Sequence, residues 1–126
     1  MRIYIASKYI AHKILNQHIY DYLKSQDIDA FLPATIEIDA ITQKEMQSVS
    51  EICYNEIERC NVFLLVCPFG KSVASEIGYA VALKRWKKNI KIVALNFDSN
   101  YEAMISPYLD KNVTDVFELV SYLNSL

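Results

Sequence analysis

The sequence predicts an α/β fold built on one open, parallel sheet with helices on both faces. Short apolar runs alternate with segments of helical period along the chain, which is the pattern of repeated strand and helix units. No Asn-Gly or similar turn sequence joins two of the runs, so hairpins are not expected. Residues Val62–Val66 are apolar without alternation, which favours a strand covered on both faces. Five strands of this kind commonly take the order 2-1-3-4-5, as in flavodoxin-like and Rossmann-like proteins.

The N-terminal part of the chain predicts a strand, a helix and a second strand. Arg2–Ala6 is β-branched and aromatic, and residues 28–32 form a similar run that Pro33 closes, so both are predicted strands. The helix between them has an apolar stripe that is expected to face a core. The stripe consists of the pairs Ile10/Ala11, Ile14/Leu15, His18/Ile19 and Tyr22/Leu23.

A loop and a second helix follow. Residues 34–42 show no clear period and carry Glu37 and Asp39, which suits a loop over a site. Residues 43–60 are predicted to be helical, because their apolar positions share one side. These positions are Met46, Val49, Cys53, Ile57 and Cys60.

The centre of the chain predicts a strand, a turn and a buried helix. Pro68, Phe69 and Gly70 break the apolar run, and a helix begins at about Ser72. Small and apolar residues cover almost the whole circumference of this helix, so it is expected to be largely buried. An acid, Glu76, is expected in its first turn, near free backbone N–H groups and the positive end of the helix dipole.

The C-terminal part predicts smaller elements. Lys91–Leu95 is a fourth strand, residues 101–109 form a short helix around Pro107, and residues 113–116 form a weak edge strand. A final helix is indicated by apolar residues at helical spacing. They are Val116, Leu119, Val120 and Leu123.

The strand order places a crevice at the carboxyl ends of strands 1 and 3, whose connections leave toward opposite faces. The crevice should bring Ser7, Lys8 and Tyr9 together with residues 69–76. Lys8 and Lys71 with Ser7 and Ser72 could hold one phosphate beside a helix N-terminus. The alternative is that Ser72 only caps the helix and the lysines are solvated. Asn96 and Asp98 lie at the carboxyl end of the fourth strand and are further candidate ligand contacts.

The residues Gly70-Lys71-Ser72 resemble the end of a P-loop, but Leu65 stands where that motif needs a glycine, so an NTPase is not expected. Glu76 has three possible roles. It could be a nucleophile at a sugar carbon, it could hold a ribose hydroxyl, or it could be an ordinary acid of a first helical turn. A capping box would need Ser or Thr where Val73 stands.

Composition narrows the class of protein. The 126 residues suffice for one domain, residues 1–126, and the net charge of −2 gives no reason to expect nucleic acid as a partner. No membrane span or signal peptide is apparent, so a cytoplasmic protein is expected. His12 and His18 do not share a helix face, and the cysteines lack CxxC spacing. Neither a metal site nor a cofactor is therefore expected.

Three segments of the sequence resemble the nucleoside 2-deoxyribosyltransferase family, including the related deoxynucleoside 5′-monophosphate N-hydrolases. They are IYIAS near the start, EICYNEIERCNVFLLV in the middle, and SVASEIGYAVAL. The resemblance implies that Glu76 is a nucleophile that forms a covalent glycosyl intermediate and that Tyr4 orients it. It also implies a homodimer or larger homo-oligomer, in which a neighbouring subunit's C-terminal region completes the site.

The chain departs from the deoxyribosyltransferase pattern near the site. Gly70 stands where those enzymes carry an aspartate, and Ser72-Val73 replaces their Gly-Thr pair. The acid that protonates the leaving base is therefore open, with Asp39 and Asp98 as candidates by position. The hydrolases of nucleoside monophosphates also lack that aspartate and use serines for the phosphate, so Lys71 and Ser72 favour a nucleotide over a nucleoside.

We therefore expect an enzyme that cleaves the N-glycosidic bond of a deoxynucleoside or its 5′-monophosphate, with transfer to another base or to water. The alternatives are a non-catalytic nucleotide-binding module and a TIR-like domain that cleaves NAD or signals. An oligomer is also expected because the C-terminal region is rich in apolar and aromatic residues that a small domain cannot all bury. These residues are Tyr101, Met104, Tyr108, Phe117 and Tyr122.

Overall fold

The computed structural model describes residues 1–33, 36, 42–98 and 103–126. Strands and helices alternate along these parts of the chain. The strands are β1 (Arg2–Ala6), β2 (Asp29–Phe31), β3 (Val62–Val66), β4 (Lys91–Leu95) and β5 (Lys111–Val113), and the helices are α1 (Lys13–Ser25), α2 (Gln43–Arg59), α3 (Lys71–Arg85) and α4 (Val116–Asn124).

The five strands form one parallel sheet in the order β2-β1-β3-β4-β5, which confirms the predicted fold class and strand order. β1 lies between β2 and β3, and Tyr4 has Phe31 and Phe63 as its partners in the two neighbouring strands. The carboxyl ends of β1 and β3 therefore open onto the same edge of the sheet, where the connections to α1 and α3 begin.

The sheet has a separate hydrophobic cluster on each face. Ile3 and Ile5 of β1 pack on the side of α1 and α4, whereas Tyr4 and Ala6 pack on the side of α2 and α3. All five residues of β3 are buried, as the apolar run predicts for a strand covered on both faces. The strand alternation thus sends Tyr4 toward α2 and α3.

The predicted apolar stripe of the first helix is wrong in its N-terminal half. Ile10 precedes α1 and is 82% exposed, and Ile14 in its first turn is 88% exposed. The buried residues of α1 are Asn16, Ile19 and Leu23, which share one face, and Ile14 lies nearly opposite to it. Ile10 is not helical at all, so the helical period does not apply to it.

The prediction that the third helix is largely buried is also wrong. Its buried residues are Val73, Ile77 and Ala80, while Ala74 and Gly78 are exposed. Small side chains are compatible with both environments, so their spread around the helix did not identify the buried face. The helix begins at Lys71, which places Glu76 in the second turn and not in the predicted first turn.

The other boundaries differ by small shifts. The second strand is limited to Asp29–Phe31, and the last strand ends at Val113 and not at residue 116. Asp115 accepts a hydrogen bond from the backbone N–H of Glu118 at 2.8 Å, and this N-cap starts α4 at Val116. The described part of the predicted 101–109 helix contains a 3-10 turn at Ser106–Tyr108. No helix among the described residues is long and apolar enough to cross a membrane.

The residues on which the oligomer prediction rests differ in their environments. Phe117 packs edge-on against Tyr22, with ring centroids 4.8 Å apart, but is still 53% exposed. Met104 is 75% exposed. Tyr101 lies outside the described residues. The oligomeric state remains a prediction.

Candidate active site

Tyr4 is fully buried in β1, and its ring is held by the two adjacent strands. The centroid of the Tyr4 ring lies 5.6 Å from that of Phe31 on one side and 5.6 Å from that of Phe63 on the other, both in stacked orientations. These contacts follow from the strand register, because the three residues are cross-strand neighbours. The hydroxyl of Tyr4 is therefore presented at a fixed position beneath α3.

The Tyr4 hydroxyl donates a hydrogen bond to the carboxylate of Glu76. Burial raises the pKa of Glu76 above its ordinary value, and the hydrogen bond from Tyr4 acts in the opposite direction. Burial, followed by the negative charge of Glu76, raises the pKa of Tyr4. Tyr4 therefore stays protonated as a donor, and its hydrogen bond favours the ionised carboxylate.

Glu76 lines a cavity of about 540 Å³ at the carboxyl edge of β1 and β3. This volume is within the usual range for small-molecule sites. One end of the cavity is polar and contains most of the ligand contacts that were predicted from the sequence. They are Ser7, Lys8, Tyr9, Gly70, Lys71 and Ser72.

The polar end includes the N-terminus of α3. Gly70 is the N-cap, and no side chain among the described residues caps this helix, so the proposal that Ser72 is a capping residue is wrong. Lys71 and Ser72 are the first two helical residues. Lys8 lies in the loop after β1, and its Cε is 3.9 Å from the position that a Cβ atom on Gly70 would occupy. Free N–H groups and two lysines converge there and favour an anionic ligand.

The opposite wall of the cavity comes from α2 and was not predicted from the sequence. Met46, Val49, Cys53 and Tyr54 line it. The apolar side of α2 indicated a core, and Ile57 and Cys60 are indeed buried there. Met46 and Val49, in the N-terminal half of the helix, line the cavity. The helical period alone cannot show which turns of a helix pack only on the core and which border a cavity.

Cys53 lies where the core meets the cavity. Burial raises the pKa of its thiol, and the neighbouring Tyr4 acts in the opposite direction. Cys53 packs in the same buried cluster as Tyr4. A thiol with a raised pKa is a poor nucleophile, so its contribution is to pack against Tyr4.

Two predicted ligand contacts lie away from this cavity. Asn96 and Asp98 follow β4 and are exposed, and neither lines the cavity as the described residues define it. Asn96 has a positive φ of 58°, and its N–H donates to the carbonyl of Val113 at 2.8 Å. Asp39 and Glu37 are outside the described residues. Within the described parts of the chain, no group of His, Cys, Asp and Glu could hold a metal ion.

The structure is similar to solved enzymes that differ strongly from it in sequence. A 2-deoxyribosyltransferase from Bacillus psychrosaccharolyticus matches it with a TM-score of 0.71 and 15% identity, over 94% of this chain and 90% of the other. A CMP N-glycosidase from Clostridium botulinum gives 0.62 and 16% identity, over 99% and 98%. A 2-deoxyribosyltransferase from Leishmania mexicana gives 0.61 and 19%, over 98% and 97%.

These similarities span nearly the whole of each chain, so they establish the fold of the entire domain. No protein-family model matches the chain, and no curated protein is similar to it in sequence. Since one fold can host unrelated functions, the activity has to be argued from the site.

Proposed function

We propose that this protein cleaves the N-glycosidic bond of a deoxynucleoside or a deoxynucleoside 5′-monophosphate and passes the sugar to another base or to water. The observation that carries the proposal is the partly buried carboxylate of Glu76, which lines the cavity and accepts a hydrogen bond from Tyr4. The fold shared with two 2-deoxyribosyltransferases and a CMP N-glycosidase supports the same assignment.

In the proposed reaction, an oxygen of Glu76 attacks the anomeric carbon of the sugar. A carbon–oxygen bond forms while the bond to the base breaks, and the base leaves with the electron pair and gains a proton. Water or a second base then attacks the same carbon, loses its proton, and releases the Glu76 carboxylate. The Tyr4 hydroxyl keeps the attacking oxygen oriented by donating to the carboxylate.

By sequence position, the candidates for the proton donor of the leaving base are Asp39, which lies outside the described residues, and Asp98, which does not line the cavity as the described residues define it. Gly70 stands where the resembling deoxyribosyltransferases carry an aspartate, so that position cannot supply the proton. Replacing each aspartate by asparagine identifies which one acts. The donor's replacement should slow cleavage most for substrates whose base is a poor leaving group.

A nucleotide is the favoured substrate because of the polar end of the cavity. Lys8 and Lys71 supply two positive charges, and the N-terminus of α3 supplies free N–H groups. Lys71→Ala should therefore raise KM for a 5′-monophosphate and leave KM for the matching nucleoside nearly unchanged. Arg85→Ala is the matched control, since Arg85 is an exposed cation at the other end of α3.

The test is release of free base from a panel of deoxynucleosides, deoxynucleoside 5′-monophosphates and NAD. Release from a deoxynucleoside or its monophosphate is expected. Binding without release of base would favour the second candidate, a non-catalytic nucleotide-binding module. This alternative is specific because Gly70 stands where the resembling enzymes carry an aspartate. Release from NAD alone would point to the TIR-like activity.

The covalent intermediate has a direct check. A slowly turned-over 2-fluoro sugar analogue should add the mass of the sugar to the peptide that contains Glu76, as measured by mass spectrometry. Labelling of a different carboxylate, or no labelling during turnover, would contradict the proposed nucleophile.

A further inference from the structure

The loop between β1 and α1 carries Ser7, Lys8 and Tyr9 into the polar end of the cavity. Two side chains near the start of α1 hold this loop. Asn16, which is only 3% exposed, donates from its amide to the carbonyl of Lys8 at 3.0 Å. His12, the N-cap of α1, has its Nδ1 at 3.2 Å from the Oγ of Ser7. Asn16 thus fixes the backbone of the loop, and His12 contacts one of its cavity-lining hydroxyls.

The hydrogen bond between Ser7 and His12 can run in either direction. If Ser7 donates to Nδ1, its hydroxyl hydrogen is used there and only its lone pairs remain for the cavity. If the Nδ1–H donates to Ser7, the hydroxyl hydrogen is free to turn toward a ligand. The tautomer or charge of His12 therefore decides whether Ser7 is an acceptor or a donor in the cavity.

The surrounding charges select one of these arrangements. Lys8 and Lys71 line the same end of the cavity as Ser7, and the uncapped N-terminus of α3 lies there as well. The fully ionised phosphate of a nucleoside 5′-monophosphate, attracted to that end, accepts hydrogen bonds and donates none. Only a donating Ser7 hydroxyl complements such a group.

We propose that His12 is a positioning residue whose Nδ1–H donates to Ser7 and thereby directs the Ser7 hydroxyl hydrogen to an anionic oxygen of the ligand, such as a phosphate. His12 is not among the described residues that line the cavity, so it acts through Ser7. The inference rests on the proposed function only in taking the ligand to be a nucleotide, and it requires no particular reaction.

The hydrogen-bond direction can be measured without any turnover. The chain has two histidines, His12 and His18, so a variant lacking one assigns the other in long-range ¹H–¹⁵N NMR spectra. In the presence of sulfate, an anion with no proton to donate, Nδ1 of His12 should be protonated even when the ring is neutral. His18, which is exposed on α1, is the reference. A neutral His12 with an unprotonated Nδ1 would overturn the proposal.

Substitutions test whether the effect reaches the ligand. In His12→Asn the amide nitrogen falls near the place of Nδ1 and can still donate, whereas His12→Ala removes the donor. Affinity for thymidine 5′-monophosphate, measured by calorimetry, should fall about threefold to tenfold in His12→Ala. It should be nearly retained in His12→Asn and unchanged in the control His18→Ala. Affinity for thymidine, which lacks the phosphate, should not change in any of them.

A double-mutant cycle separates a path through Ser7 from a general loss of structure. In a Ser7→Ala background, His12→Ala should cause no further loss of affinity. An equal loss in both backgrounds, an equal loss for thymidine, or a wild-type protein that binds neither sulfate nor the monophosphate would overturn the proposal. If the variants show these affinity changes but the wild-type protein releases no base, the proposed reaction would be contradicted and the role of His12 would be supported.

Discussion

Two tyrosine–glutamate pairs in the described part of the chain differ in their surroundings. Tyr4 and Glu76 meet under the cavity, where burial is the main cause of the raised pKa of each group. Tyr79 and Glu58 meet on the outer surface of α3 and α2, and there the hydrogen bond to Glu58 is the main cause of the raised pKa of Tyr79. The same two residue types thus form a desolvated pair at the cavity and a solvated contact on the surface.

The comparison shows that residue types alone do not mark a reactive site. Water stabilises a carboxylate such as Glu58, whereas Glu76 depends on Tyr4 and on the protein around it. Perturbed carboxyl groups in a cavity are the ones that catalysis uses. The surface pair is therefore the internal control for each experiment on the buried one.

The largest difference is expected from neutralising each glutamate. Glu76→Gln should lower kcat by at least about a thousandfold, roughly 4 kcal/mol of barrier, because an amide cannot form the glycosyl ester. Glu58→Gln should leave kcat unchanged. Steady-state release of free base measures both. A Glu76→Gln enzyme with more than about a tenth of wild-type turnover would contradict the role of Glu76 as nucleophile.

Removing each tyrosine hydroxyl should give a smaller difference. Tyr4→Phe should lower kcat about tenfold to a hundredfold, because a hydrogen bond to a charged group contributes about 1.5 to 3 kcal/mol. Without this bond the pKa of Glu76 should rise further, so the acid limb of the pH–rate profile should move to higher pH. Tyr79→Phe is the control. If both variants give the wild-type profile, the Tyr4 hydroxyl does not act on Glu76.

The two carboxylates should also affect stability in different ways. The pKa of Glu76 is higher in the folded protein than in the unfolded chain, so the folded state binds more protons and its stability falls as pH rises through the interval between the two values. Glu76→Gln lacks this loss and should be more stable than the wild type at pH 8. The gain should vanish toward about pH 4, near the ordinary pKa of glutamate.

Urea unfolding of the variants at both pH values measures this effect. For Glu58→Gln, the free energy of unfolding should stay within about 0.5 kcal/mol of wild type at either pH. An equal gain from both substitutions would show that the buried pair carries no special electrostatic cost.

The smallest effect is expected from replacing Cys53, whose thiol lies next to the buried Tyr4–Glu76 pair. Among the described residues, the surface pair has no such thiol beside it. Cys53→Ala removes the thiol that packs against Tyr4 and should lower kcat only about threefold. Cys60→Ala is the matched control, since its thiol is also buried but donates to the carbonyl of Ile57 at 3.1 Å. Equal kcat in both variants would show that Cys53 only fills space.

The sequence was sufficient for the strand order and for the three central strands. The apolar runs Arg2–Ala6, Val62–Val66 and Lys91–Leu95 match β1, β3 and β4 without a shift, because a buried parallel strand needs an uninterrupted apolar run. The stripe containing Ile14 and the small residues around Gly78 misled the assignment of buried helix faces. A helix face is fixed by what it packs against, and periodicity does not contain that information.

Some residues of the candidate site could likewise be predicted from the sequence, and others could not. The polar residues of the β1 and β3 loops follow from topology, because the carboxyl ends of neighbouring parallel strands share one edge. Tyr4 and Glu76 are 72 positions apart, and their pairing was expected only from the family resemblance. The wall of Met46, Val49 and Cys53 depends on how α2 packs relative to the other elements, which is a tertiary property.

Because the rings of Phe31, Tyr4 and Phe63 are stacked across three strands, the hydrogen bond between Tyr4 and Glu76 also depends on assembly of the sheet. A shift of β1 by one residue would turn Tyr4 to the opposite face, so the carboxylate finds its partner only after three strands have joined in register. In the reaction that we propose, a partly folded chain would therefore lack the hydrogen bond that orients Glu76. The α2 wall carries no such condition, and changes at Met46 or Val49 can alter the shape of the cavity while the strand register stays as it is.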